Sequence, residues 1–282
     1  MRIARIIITA LALLALPAMS RAQYVVTDTI IPERIVVKSS QIGVTLLNNL
    51  DTYLSNYNHK GVGLNYSHEA FRDASTGNYR WKYQRLLNIT AGYATRGSSL
   101  QYAALIGYNW GGYHPFKVAK GLTLLAGAQI QLEGGALYNP AGGNNPAAAK
   151  LRTALAANGM AIYHFPVRRS EWIARYQLDI PLMGAMFAPE FGQSYYEIFG
   201  LGHASNVVAF THPGNTPSWR HMLSLDIPMS ATTLRISYTC DLYQSRINDI
   251  NCHIYRNTFS IGFTRTILKV KRNNRLNAYS PY

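Results

Sequence analysis

Seven charged residues in the second half of the chain are spaced so that they could meet: Arg175 and Asp179, Arg220 and Asp226, Arg235 and Asp241, and Arg256. Guanidinium and carboxylate groups at alternate positions can do two things. They can neutralise one another as ion pairs, or they can line an aqueous path and select ions. Pairing 219–229 with 233–245 about the turn Ser230-Ala231 sets Asp226 opposite Arg235 and Arg220 opposite Asp241. Pairing 233–245 with 252–267 about Asn248-Asp249 sets Asp241 opposite Arg256, so Asp241 is expected between two arginines. The same register sends Leu223 to Tyr238, Leu225 to Ile236, Ile227 to Leu234, Tyr238 to Phe259 and Ile236 to Ile261 on the other face. A slip of one residue would exchange the two faces. Charges on an enclosed face must be paired or hydrated. Arg175 and Asp179, in phase on an earlier segment, are expected in the same interior system. Salt bridges filling a narrow lumen are the favoured reading over a selectivity lining, because small barrels are filled by their own side chains.

Other chemistry is sparse. The sequence has no phosphate-binding glycine loop, no dinucleotide fingerprint, no paired-cysteine metal site and no His-Glu-x-x-His helix. His68-Glu69 belongs to no motif, and Gly61-Val-Gly63 reads as two strand glycines. A serine hydrolase on a barrel rim needs a Ser, a His and an orienting group. His203 with Ser205 and Ser218 with His221 are the pairs that fit by proximity. No catalytic, cofactor or metal site is therefore assigned. Cys240 and Cys252 are the only cysteines. The hairpin register puts Cys240 opposite Asn257 and Cys252 opposite Ser245, which argues against a bridge.

The elements that carry these residues read as strands. Period-two alternation with one apolar and one polar face predicts them near 35–48, 60–71, 79–95, 100–113, 121–133, 148–164, 171–184, 193–201, 206–212, 219–229, 233–245 and 252–267. That is an all-β, antiparallel, up-and-down transmembrane barrel of about twelve strands, with ten or fourteen also compatible. Most segments exceed the roughly 9–11 residues that a tilted crossing needs. With both barrel termini on one side, the long connections 48–58, 134–147 and 185–192 fall outside the cell, and 73–78, 166–170 and 230–232 form short periplasmic turns. Trp81, Trp110, Trp172 and Trp219 lie near the ends of these segments, as an interfacial girdle requires.

Composition agrees. Hydrophobic residues make up 48% and charged residues only 14%, against roughly 25% charged in soluble domains. The chain opens with Met1-Arg-Ile-Ala-Arg5, an apolar run from Ile6 to Ala18, and Ser20-Arg21-Ala22. This has the form of a secretory signal peptide over residues 1–22. A periplasmic segment over 23–34, the barrel over 35–268 and a basic tail over 269–282 complete the expected organisation. The net charge of +14 includes Arg2, Arg5 and Arg21 of the leader and four basic residues of the tail. An exported chain does not meet nucleic acid, so the expected partners are outer-membrane lipids around a monomer.

The stretch from Arg175 to Phe199 (RYQLDIPLMGAMFAPEFGQSYYEIF), together with Gly43-Val-Thr-Leu-Leu, Tyr53-Leu-Ser and Gly61-Val-Gly63, resembles a family of Bacteroidetes outer-membrane β-barrel proteins assigned only as a domain of unknown function. The resemblance implies an outer-membrane location and supplies no activity or site residue. The expected function is a non-enzymatic barrel, either structural and partner-binding or a narrow channel. Two alternatives stay open: an outer-membrane lipid hydrolase and a secreted soluble β-protein.

Overall fold

The computed structural model describes residues 34–75, 78–143, 145–168, 170–229 and 232–269. The proposed leader and most of the tail lie outside the described residues. Twelve strands form one antiparallel sheet: β1 (Arg34–Asp51), β2 (Ser55–Ser75), β3 (Asn78–Arg96), β4 (Ser99–Ala119), β5 (Leu122–Tyr138), β6 (Ala147–Ala149), β7 (Arg152–Val167), β8 (Ser170–Phe187), β9 (Val208–Thr211), β10 (Ser218–Pro228), β11 (Thr233–Ile247) and β12 (Ile250–Lys269). Ten of them close into a barrel, because β12 pairs with β1 and β10 pairs with β8.

The two short strands extend the wall. β6 pairs with β5 in the register that β7 continues, Ala136 with Ala149 and then Glu133 with Arg152. β9 pairs with the upper part of β8, and β10 takes up the same side of β8 lower down. The expected total of about twelve strands holds, but its distribution differs. Residues 193–201, expected as a strand, contain a short helix, α1 (Tyr195–Phe199). Ser194 caps it, accepting from the Glu197 amide while the Glu197 carboxylate accepts from the Ser194 amide. This reciprocal capping box satisfies two amides that a strand would have left to the ladder.

The expected hairpin register is present residue for residue. Asp226 faces Arg235, Arg220 faces Asp241 and Asp241 faces Arg256. Asn248 and Asp249 both adopt positive φ, 51° and 59°, the pair of left-handed residues that a two-residue hairpin turn requires. Cys240 faces Asn257, Cys252 faces Ser245, and both cysteines are free.

The wall is inside out. Leu64, Ile106, Leu223 and Phe259 are exposed on the outside, while Glu69, Gln84, Gln177 and Asp179 are buried within. An apolar exterior around a polar core is the architecture of a membrane-spanning barrel. It leaves the soluble reading without support, since a soluble sheet hides the apolar face that is exposed here. β2 and β4 reach 21 residues each, about 50 Å at the usual rise and tilt, so the strands overrun an apolar band about 25 Å tall. Trp110 consequently lies in mid-strand, because β4 runs on to Ala119 and does not stop near 113. Long connections gather at the end where β1 finishes, called the upper end below. Short turns gather at the end where β1 starts.

Candidate functional site

The seven expected interior charges all point into the lumen. Arg175, Asp179, Arg220, Asp226, Arg235 and Arg256 are buried, and the Asp241 side chain keeps 17% of its surface. Their pairing differs from expectation in one respect. Arg220 forms its ion pair with Asp179, its neighbour on β8, and not with Asp241. Asp241 accepts from Arg256 at 2.7 Å. Both carboxylates flank Arg220 in register, and the fully buried Asp179 is the one that takes it.

The centre of the lower network is Glu69, on the inward face of β2. It accepts two hydrogen bonds from Arg175, both at 2.8 Å, and one from Arg235 Nη1 at 2.5 Å. Arg235 also grips Asp226 through Nε and Nη2, at 2.5 and 2.6 Å. Gln84 donates to Glu69 at 2.5 Å and to Gln177 at 2.9 Å, and Tyr113 donates to Gln84. Asp179 accepts from Arg220, Asn158 and Gln177.

The centre of the upper network is Glu133 on β5. Arg256 reaches it at 2.6 Å from across the lumen, and Arg152 at 3.2 Å from the adjacent strand. The Arg152 guanidinium also lies over the Tyr243 ring, 4.3 Å from its centroid. Nearer the mouth, Lys150 pairs with the buried Asp51 at 2.6 Å. Neither Glu69 nor Glu133 was selected from the sequence. The available signal was phase: Glu69 shares parity with inward Ser67 on β2. The partners that would have made it conspicuous lie 106 and 166 residues away.

Apolar layers bound these charges on both sides. Leu47, Leu105, Leu137, Tyr243 and Ile254 cluster above, and Tyr113, Leu125 and Met160 pack with Phe71 and Ile162 below. The space between networks is a cavity of about 60 Å³, room for a few waters at 10–15 Å³ each. Inside the wall, Lys82, Lys150, Arg152, Arg175, Arg220, Arg235 and Arg256 are paired with Asp51, Glu69, Asp73, Glu133, Asp179, Asp226 and Asp241. Among the described residues, seven cations meet seven carboxylates inside the barrel.

Over the mouth, α1 is tied down by aromatic stacking and hydrogen bonds. Tyr195, Phe187 and Phe199 pack as a mutual trio, with Tyr195 6.2 and 6.3 Å from the two phenylalanines and these 6.3 Å from each other. Tyr53 donates to the Gln193 carbonyl, and the Ala149 amide donates to the Tyr195 hydroxyl. Burial pushes the Tyr53 hydroxyl up to about 12, helped by the nearby Tyr195 and Asp51.

The Ser and His pairs considered from sequence do not assemble. Ser218 is buried inside β10, whereas His221, three residues on, lies on the outer face and bonds Tyr176. His203 and Ser205 are exposed, with no hydrogen bond between them among the described residues. A different pair does meet: His59 Nε2 lies 2.9 Å from Ser99 Oγ, and His59 Nδ1 lies 2.9 Å from the Tyr57 carbonyl. A carbonyl only accepts, so Nδ1 carries a proton, and in the neutral ring Nε2 then accepts from the serine.

Fold and interior together define a closed, ion-paired, membrane-type β-barrel. Residues 6–274 match the family described as "Protein of unknown function (DUF3316)", and the chain belongs to that family. No curated protein matches it. Among solved structures it is similar to the outer membrane protease OmpT from Escherichia coli, with 7% identity, TM-score 0.44, and coverage of 86% of this chain and 99% of that one. It is similar also to the transport unit of the autotransporter AIDA-I from Escherichia coli, with 9% identity, TM-score 0.42, and coverage of 94% and 97%. The β domain of the Bordetella autotransporter BrkA gives 14% identity, TM-score 0.40, and coverage of 81% and 98%. At such scores these likenesses carry no argument about function, and the barrel assignment rests on the closed ladder itself.

Proposed function

We propose that this protein is a monomeric outer-membrane β-barrel, exported by its N-terminal leader, of the Bacteroidetes type that the sequence resemblance implies. Its role is structural or partner-binding, exercised at the capped end, and its lumen is a plug and not a channel. One observation carries the reading: among the described residues the interior ion pairs balance, seven against seven. A selectivity lining needs an excess of one sign or an open file of hydrated groups. A neutral network between apolar layers offers neither. The test is conductance of the purified barrel in a planar bilayer. No steps above background are expected, and reproducible ion-selective steps would overturn the plug.

A second reading, a lipid hydrolase at the rim, is favoured by the Ser99–His59 contact with its carbonyl-oriented ring. A nucleophile, a base and an orienting group in hydrogen-bond reach are the elements of serine acyl transfer. A fluorophosphonate probe separates the readings. Labelling of wild type that disappears in Ser99→Ala would establish the hydrolase, and absence of labelling leaves the contact as a structural tie.

A further inference from the structure

The outer wall of β12, β1, β2 and β3 carries a cluster of cations that the interior network does not use. Following the register across the sheet, Arg265 faces Lys38, Lys38 faces Ala70, Ala70 faces Arg85 and Arg85 faces Trp110. Arg72 lies two residues along from Ala70 on the same face of β2, over the Tyr83 ring at 5.4 Å. Lys38, Arg85 and Arg265 are exposed. Like charges directly opposite one another, as Lys38 and Arg265 are, destabilise a sheet. Among the described residues, the carboxylates on these four strands are Asp51, Glu69 and Asp73, and each is paired with another cation.

The height of the cluster is as informative as its charge. Immediately above it on the same outward faces lie Ile42, Val44 and Leu46 of β1, Phe259, Ile261 and Phe263 of β12, and Ile89 of β3, all exposed. The cations therefore lie toward the lower side of the apolar surface on these strands, with Ile267 of β12 and Trp81 of β3 exposed below them, in the zone where interfacial aromatics and headgroups meet the strands. Ala70 has no side chain beyond Cβ, so a shallow seat opens between Lys38 and Arg85, with Arg72 at its foot. Trp110 and Phe263 close the row toward the apolar side.

We infer that this face is a binding seat for an anionic phospholipid of the leaflet at the short-turn end, its phosphate held over Ala70 by Lys38, Arg72 and Arg85 and shared with Arg265. The inference rests on the membrane-spanning reading of the wall and is independent of whether the lumen is plugged. Its acyl chains would lie on the apolar surface formed by Val44, Phe263 and Ile89.

The experiment is native mass spectrometry of the detergent-released barrel titrated with phosphatidylglycerol or phosphatidylcholine, preceded by a check that it inserts into phosphatidylcholine vesicles. Failure to insert would sink the membrane reading and is separate from failure to discriminate. The wild type should retain phosphatidylglycerol over phosphatidylcholine by about tenfold, the scale expected when a few basic side chains meet an anionic lipid. Lys38→Gln/Arg85→Gln/Arg265→Gln should lose most of that preference. Lys60→Gln/Arg96→Gln, at the opposite rim, should keep it. Equal retention of the two lipids by wild type, or an unchanged preference in the triple variant, would overturn the inference. Competition by inorganic phosphate alone would assign the seat to a soluble anion and overturn it likewise. Should the triple variant not fold, the Lys38→Gln and Arg265→Gln single variants and the wild-type preference still decide.

Discussion

Glu69 joins the two arginines that hold the lower lumen together, and its loss is the most costly single change expected in the interior. Among the described residues, Glu69→Gln leaves Arg175 with no other ion pair and Arg235 with Asp226 alone. Breaking one side of a buried pair costs about 3–5 kcal/mol, so unfolding in detergent should shift by that amount. Asp241→Ala is expected to be milder. Asp241 is partly exposed, and Arg256 keeps Glu133, so about 1 kcal/mol or less is expected, as for a screened pair. Equal losses in the two variants would show that the network does not divide as described. Where two arginines share one carboxylate the residue is structural. A carboxylate that serves one arginine alone, itself held by a second carboxylate, can be spared, as Asp241 can beside Glu133 on Arg256.

At the scale of elements, the turns and the cap carry the testable consequences. Asp249 has φ 59°, and a β-branched residue there pays roughly 1–2 kcal/mol for the left-handed conformation. Asp249→Val should lower the thermal midpoint of the folded barrel, and Asp249→Gly should leave it unchanged or raise it. Helix α1 depends on Glu197, whose carboxyl is held below its ordinary value by the hydrogen bonds from the Ser194 amide and hydroxyl. A depressed folded pKa contributes stability above the unfolded carboxylate value, and that contribution is lost as pH falls through the folded pKa. Protection of the Ser194 and Glu197 amides, taken relative to the intrinsic exchange rate at each pH, should therefore fall on acidification, and Glu197→Gln should abolish that pH dependence of the protection. Unchanged protection across that range would mean that aromatic stacking of Tyr195 and Phe199 holds the helix without its capping box.

For the whole molecule, loop lengths and strand parity make a statement about sidedness. The connection from β5 to β7 and the one containing α1 lie at one end, and the turns at Arg168 and after Pro228 at the other. A Cys introduced at Asn145, in a background lacking Cys240 and Cys252, should react with an impermeant maleimide on intact cells. Arg168→Cys should react only after the outer membrane is opened. The reverse pattern would invert the barrel, and with it the leaflet to which the Lys38–Arg265 face belongs.

Much of this structure is local and was legible as such. The hairpins β10–β11 and β11–β12 join sequence neighbours through tight turns, and one slip would have put Leu225 inside and Asp226 in lipid, so the turns and the alternation together determined the register, and the alternation the inward direction of all seven charges. The capping box at Ser194 and Glu197 is equally local, a signal present in the sequence though read as strand. What the sequence could not decide was which inward charges meet. Glu69 reaches Arg235 across 166 residues and Glu133 reaches Arg256 across 123. Those contacts exist only because ten strands close and bring opposite walls within a side chain's reach. Arg220 likewise took Asp179 on β8 over its expected partner on β11, a choice that required β8 and β10 to become neighbours across a long connection. Periodicity determines faces because it belongs to the strand. Partners across a lumen belong to closure, which only the tertiary structure supplies.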